Sequence, residues 1–311
     1  MSLDFSVFLP VGFGQELSGF TDPVQAADAI IELARTAEEC GYAAVYVPDH
    51  LQTAPPSQAF LFESWSLLTM LAARTERIRL GQLVSGNSYR NPALQAKIAS
   101  TVDVLSRGRL TFGIGAGWYE PDYRAFGYEF GDGPERLRHL REAARIIRLL
   151  WTQDVTTYEG KYYQLQNAIN QPQRPHIPLM IAGGGEKVTL KIVAESADAC
   201  NLMVSPEEIE RKLGILRAHC EAAGRDYESI RRTATTSCLI AETDEEAQAQ
   251  LSPAMGAFYS GDFGSYLLYG SAETVARRIE AYAAAGVQEL IVGFHHATSP
   301  DAIRAFSKEF R

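Results

Sequence analysis

Short, nearly continuous apolar runs alternate along this chain with longer segments whose apolar residues recur at helical spacing. The short runs predict buried strands, and the periodic segments predict helices packed over them. Strand candidates are residues 4–9 (DFSVFL), 43–47 (AAVYV), 78–84, Leu110–Gly115 (LTFGIG), Leu179–Ala182 (LMIA), 199–204, 232–240 and Glu289–Phe294. Between them, Asp22-Pro23 opens a helix whose stripe is Ile30, Leu33, Ala34, Ala37 and Cys40, with Gly41 as its stop. Residues 65–74 form a short helix. Asn91 and Pro92 supply an N-cap and a first helical position for a helix with Leu94, Ile98, Val102 and Leu105 as its apolar face, stopped at Gly108. Gly133-Pro134 begins a long helix with Leu137, Leu140, Ala144, Ile147 and Trp151 on one face. Ser205 and Thr243 are each followed three residues later by Glu, as in a capping box. Ser271 caps a helix ending at Gly286, and Pro300–Phe310 is the last helix.

Two buried strands joined by a helix form a right-handed parallel unit. Here that unit repeats over the full length. No glycine fingerprint follows the first strand, which disfavours a dinucleotide-binding doubly wound sheet. A (β/α)8 barrel accounts for eight strands with helices between them. Residues 152–177 break the pattern: TTYEGKYYQL reads as a hairpin turning at Glu159-Gly160, followed by a proline-rich connector. This is an insertion between the fourth helix and the fifth strand, too short for a core of its own, so residues 1–311 read as one domain. The glycine- and tyrosine-rich residues 256–270 read as a mobile loop.

Composition narrows the partners. The 311 residues are 46% hydrophobic and carry a net charge of −9, which argues against nucleic acid or an anionic membrane surface. Nothing resembles a signal peptide or a membrane span. Cys40, Cys200, Cys220 and Cys238 lack metal or redox spacing and read as reduced thiols of a cytoplasmic protein.

In a (β/α)8 barrel, chemistry sits in the loops that leave the C-terminal ends of the strands. That rule selects Asp49, His50, Ser85 to Asn87, Gly115 to Trp118, Gly183 to Gly185, Asn201 and the pair His295-His296. Pro48-Asp49-His50 is a plain turn or a site. As a site, Asp49 can accept a hydrogen bond from a cofactor, and His50 can donate or remove a proton near neutral pH. Gly183, Gly184 and Gly185 join a strand to a helix start, where free N–H groups favour a phosphate, although no Walker pattern is present. The histidines and Asp49 also permit a metal-dependent barrel hydrolase. That is a minor reading, because no HxH or HExxH motif supplies convergent ligands.

YVPDH at 46–50, the block LGQLVSGNSYRNPALQAKIASTVDVLSRGRLTFGIGAGWYEPDYRAFG at 80–127, and LMIAGGGEKVTLKIVAESADACN at 179–201 resemble the luciferase-like monooxygenase superfamily. Within it they are most similar to the F420-dependent oxidoreductases. The resemblance covers nearly the whole chain. It implies a (β/α)8 barrel, a deazaflavin across its C-terminal mouth, and hydride exchange between coenzyme F420 and a small organic substrate. The alternatives are an FMN-dependent monooxygenase using oxygen and a non-catalytic flavin binder. By resemblance, Asp49 and His50 sit at the deazaflavin and Gly183, Gly184 and Gly185 hold its phosphate. Ala116, Gly117 and Trp118 line the cofactor, as do Leu83, Val84, Ser85 and Asn87. A non-proline cis bond is expected at Leu83–Val84, and a homodimer is implied. Arg90 and Lys187 are the cations expected near the acidic F420 tail. The sugar-phosphate-oxidising members have a glutamate where this chain has Trp118, which puts that substrate in doubt. The substrate pocket would be walled by residues 51–63, 152–177 and 256–270.

Overall fold

In chain order the strands are β1 (Asp4–Phe8), β2 (Ala44–Val47), β3 (Arg79–Gln82), the two-residue β4 (Ser85–Gly86), β5 (Leu110–Gly115), β6 (Thr156–Glu159), β7 (Gln164–Ala168), β8 (Leu179–Ala182), β9 (Ala199–Leu202), β10 (Arg231–Ile240), β11 (Leu268–Gly270) and β12 (Glu289–Phe294). They come from a computed structural model that describes residues 3–251, 262–294 and 297–311. Eight of them are parallel and close on themselves in the order β1, β2, β3, β5, β8, β9, β10, β12 and back to β1. This is the (β/α)8 barrel that the alternation predicts. β4 extends the edge of β5, and β11 pairs in parallel with β10. The expectation of a loop throughout 256–270 is therefore corrected at its end: Cys238, Leu239 and Ile240 give Leu268, Tyr269 and Gly270 a ladder to join. Residues 256–261 of that stretch lie outside the described residues.

The helices are α1 (Pro23–Glu39), α2 (Ser64–Arg74), α3 (Pro92–Leu105), α4 (Glu120–Phe126), α5 (Gly133–Thr152), α6 (Thr189–Ser196), α7 (Pro206–Ala223), α8 (Asp244–Gln250), α9 (Ala272–Ala284) and α10 (Pro300–Phe310). The expected caps form: Asp22 accepts from Val24 N, Asn91 from Ala93 N, Ser205 from Glu208 N and Thr243 from Glu246 N. Proline at the first helical position in α1, α3, α7 and α10, and at the second in α5, gives up no hydrogen bond there.

The helices differ from expectation at two points. The stripe assigned to the core side of α3 faces outward in part: Leu94 is 51% and Leu105 54% exposed, while Gln95, Ala99, Ser100 and Asp103 are buried. The inner face of α3 is polar because it bonds the neighbouring loops. Gln95 Nε2 donates to the Asn87 and Arg90 carbonyls, and Asp103 Oδ2 pairs with Arg174 at 2.6 Å. The second is an addition: α4, seven residues long, has no counterpart among the helices expected from the sequence.

One hydrophobic cluster runs from β1 to α10. β6 and β7 form the predicted antiparallel hairpin. It is tied to α5 by the Glu142 carboxylate, which accepts from the backbone N–H groups of Lys161, Tyr162 and Tyr163. No helix among the described residues is long and apolar enough to cross a membrane.

Candidate active site

The C-terminal ends of the barrel strands open into a cavity of about 860 Å³. Almost every loop that the barrel rule selects reaches it. Asp49, His50, Leu83, Val84, Ser85, Gly115, Ala116, Gly117, Trp118, Gly183, Gly184 and Asn201 line it. Asn87 is buried close by, its Nδ2 donating to the Tyr163 hydroxyl of the insertion at 3.2 Å. Gly185 lies one residue beyond the lining. His295 and His296 lie outside the described residues. Among the described residues, no three of His, Cys, Asp and Glu gather to hold a metal ion.

His50 is fixed on several sides. Phe13 stacks on the imidazole with ring centroids 3.5 Å apart, and Trp118 and Tyr119 meet it edge-on at 5.8 and 5.7 Å. Its Nδ1 donates to Asp122 Oδ2 at 2.9 Å. An ionised carboxylate only accepts, so the proton sits on Nδ1, and Nε2 keeps its lone pair while the ring is neutral. Asp122 stands on α4, the helix the sequence reading missed, and is fully buried. Its Oδ2 also accepts from the Tyr89 hydroxyl at 2.9 Å and from Leu51 N at 3.2 Å, while Oδ1 has no partner among the described residues. Burial and the adjacent Asp122 charge push the Tyr89 phenol up, which keeps it a donor.

Asp49 is held inside the protein rather than facing outward. Arg90 grips both of its oxygens at 2.6 and 3.1 Å, Ser64 Oγ donates at 2.9 Å, and Gly86 N donates at 3.2 Å. Ser85 Oγ lies between Asp49 Oδ2 (2.9 Å) and Gln95 Oε1 (2.7 Å). Arg90 also pairs with Glu63 at 2.6 Å, and these two carboxylates raise its pKa against the desolvation that opposes them. The expectation of Arg90 as a free cation for an acidic tail is corrected: its guanidinium is consumed in ordering the loop after β2. Lys187 is exposed, beside the glycine loop.

The glycine loop also departs from expectation. The helix behind it begins at Thr189, with a turn at residues 186–188 in between, so the three glycines precede the helix end rather than forming it. Gly183 adopts φ +126°, and its N–H is taken by the Asn201 carbonyl at 3.1 Å. The N–H groups of Gly184 and Gly185 have no partner among the described residues. Lys212 Nζ donates to the Gly184 carbonyl at 2.9 Å, which puts a cation directly behind the loop. The bond Leu83–Val84 is cis, as the resemblance implied. β5 packs tightly against it: a Cβ on Gly115 would lie 2.9 Å from Val84 Cγ2, and one on Gly113 only 2.0 Å from the Gln82 carbonyl oxygen.

Two functional candidates had weak sequence signals. Asp122 lies in a helix of two turns, too short for periodicity to reveal. Glu16 lies in a glycine-bearing loop after β1, lines the cavity and accepts from Gly14 N at 3.0 Å. Burial raises its pKa; backbone N–H groups and the nearby His50 oppose that shift.

The family model described as luciferase-like monooxygenase matches residues 3–266. An F420-dependent glucose-6-phosphate dehydrogenase of Amycolatopsis mediterranei is 34% identical over 212 residues, 66% of this chain and 62% of that one. The chain thus spans just under two thirds of that relative's length. Among solved structures, an F420-dependent secondary alcohol dehydrogenase in complex with an F420-acetone adduct superposes with TM-score 0.82 at 19% identity, covering 100% of this chain and 97% of the other. The EDTA monooxygenase of Chelativorans sp. BNC1 gives 0.83 at 17%, covering 100% and 92%. At such identities the structural likeness speaks for the fold.

Proposed function

The chain belongs to the luciferase-like monooxygenase family, and from that premise we propose that it is an oxidoreductase exchanging a hydride between coenzyme F420 and a small organic substrate. The observation that carries the reading is an imidazole fixed by a buried carboxylate at the edge of a long cavity whose far side offers bare glycine backbone.

The residues present fit a flat ring system bearing a phosphate. Leu83, Val84, Ala116 and Gly117 supply a largely apolar slot that Trp118 borders, with Ser85 at its polar edge and Asn87 buried close by. The unpartnered N–H groups of Gly184 and Gly185, with Lys212 behind them, suit an anion. Gly183 shapes the turn. When bound, F420 supplies a ring carbon that takes or gives a hydride. The chain's part is binding, orientation and the proton. His50 moves the proton at the substrate oxygen through Nε2, and Asp122 holds the imidazole in the tautomer that allows this. Asp49 acts indirectly, by tying Arg90, Ser64 and Gly86 into one rigid loop beneath the ring.

What supports F420 over FMN is the set of relatives named for F420, which share about a third of their aligned residues with this chain. The FMN-dependent monooxygenase remains the second reading. We further propose a homodimer built from one domain per chain, because α3 turns Leu94, Val104 and Leu105 to solvent, and a cytoplasmic location in keeping with the four free cysteines. Titrating purified protein with F420 and FMN, followed by fluorescence, tests the assignment. F420 should bind tighter, and Gly184→Asp should weaken it about tenfold or more by repelling the phosphate. Tighter FMN binding, or oxygen consumption with reduced FMN, transfers the chain to the monooxygenase reading.

A further inference from the structure

The cavity has more room than one flat ring requires. Single-ligand pockets run to about 300–1,000 Å³, and 860 Å³ lies near the top of that range. We propose that the second molecule it admits is an uncharged, largely apolar alcohol or ketone, and not a phosphorylated sugar. The inference rests on reading this cavity as a site for a cofactor and a substrate together.

Charge is the first argument. Among the described residues, no lysine or arginine lines the cavity, and residues 252–261 contain neither. The charged side chains that do line it are Glu16 and Asp49. Asp49 is neutralised by Arg90, which Glu63 also engages, so no positive charge is left over. Burial favours the neutral form of Glu16. Lys212 sits at the glycine loop, bonded to the Gly184 carbonyl and to Glu186, where in this reading it serves the cofactor phosphate and leaves no cation for a second one. Burying a second phosphate dianion where the described lining offers no guanidinium or ammonium to pair it is strongly unfavourable.

Hydrogen-bonding capacity is the second argument. Polar groups on the barrel side are already engaged within the protein: Asn201 Nδ2 donates to Thr233 and Thr235 at 2.9 Å each, and Thr236 Oγ1 donates to the Tyr266 carbonyl at 2.7 Å. A polyhydroxylated ring entering here would lose its water while finding these groups already engaged. The single oxygen of an alcohol or ketone finds its partner at His50.

The wall gives the third argument. Phe13, Trp118, Leu137, Leu140, Met203 and Leu239 face the cavity. Trp118 is 55% exposed, an unusual state for a side chain with so much apolar area, and it stands edge-on to His50. An apolar substrate carbon seated on the indole would cover it while bringing its oxygen to the imidazole.

Trp118 also provides the readout. Of the three tryptophans, Trp65 and Trp151 are buried, so a ligand-induced change in tryptophan emission reports on Trp118. The test uses the full chain saturated with F420, titrated with menthol and separately with glucose 6-phosphate by calorimetry and tryptophan fluorescence. Menthol should bind and change the emission, with affinity falling about tenfold or more in Trp118→Ala and little in Trp118→Phe. Glucose 6-phosphate should give no saturable signal. Saturable binding of glucose 6-phosphate in competition with menthol would overturn the proposal, as would menthol affinity indifferent to Trp118→Ala. The cofactor reading fails separately: if FMN alone binds, the same titrations run on the FMN form still decide the substrate class.

Discussion

Two fully buried carboxylates, at opposite ends of the barrel, are used in opposite ways. Glu289 opens β12 at the N-terminal end of the barrel. Its Oε1 accepts from Ser6 Oγ at 2.6 Å and the Tyr46 hydroxyl at 3.2 Å, and its Oε2 pairs with Arg231 at 2.6 Å and Arg79 at 3.4 Å. Both oxygens are spent, and the partners come from the starts of β3 and β10 and from β1 and β2. At the other end, Asp122 crowds three donors onto one oxygen and leaves the other without a partner among the described residues. One of those donors is His50, whose second nitrogen is not committed by the pairing. The same residue chemistry thus closes the floor and arms the mouth. What differs is whether every lone pair is answered. A saturated cluster contributes to stability, whereas an unsaturated one keeps capacity for a ligand or a proton.

The largest expected effect tests the mouth. His50→Ala should slow single-turnover hydride transfer by about 10²–10⁴-fold while leaving cofactor affinity nearly unchanged. Asp122→Asn should lower the same rate by on the order of 10²-fold and alter the shape of the pH–rate profile, since it acts through the imidazole. An unchanged rate in both variants would reduce the pair to packing.

The floor should behave in the reverse sense. Glu289→Ala leaves Arg231 and Arg79 without their buried partner. Breaking a buried pair costs roughly 3–5 kcal/mol. The lower end is expected here, because the two arginine side chains are 33% and 38% exposed and water screens them. Denaturant unfolding measures the loss, and the rate per folded molecule should not move. A variant that kept its stability but lost its rate would erase the contrast between the two ends.

The smallest effect concerns Glu16, whose folded pKa burial raises above its ordinary value. Between those two values the folded state binds more protons than the unfolded state, so this group's contribution to stability declines as pH rises through that window. Glu16→Gln should therefore raise the melting temperature at neutral pH relative to the parent and leave it unchanged in acid. Equal differences at both pH values would show that Glu16 is not desolvated.

Some of this was legible in the residues themselves. The caps at Asp22, Asn91, Ser205 and Thr243 were readable because a cap is a bond between residues two or three apart. Asp49 and His50 were readable as a strand exit, but their roles were not. Nothing local says that Arg90 and Ser64 would occupy Asp49, or that Phe13 would stack on His50. The stripe Leu94, Ile98, Val102 and Leu105 is a true helical repeat, yet periodicity is silent about which side of a helix meets the barrel. Gln95 and Asp103 face inward because loop carbonyls and Arg174 await them there.

By itself, then, the sequence determined what short-range forces determine: which segments become strands or helices, where helices start and stop, and, through the number of repeats, a closed eight-stranded barrel with its exits on one side. The tertiary structure alone decided the pairs that do the work. His50 meets Asp122 across 72 residues of chain, and Ser6 meets Glu289 across 283. A side-chain hydrogen bond is decided within about 3 Å, and only closure of the barrel brings such distant strand ends that close.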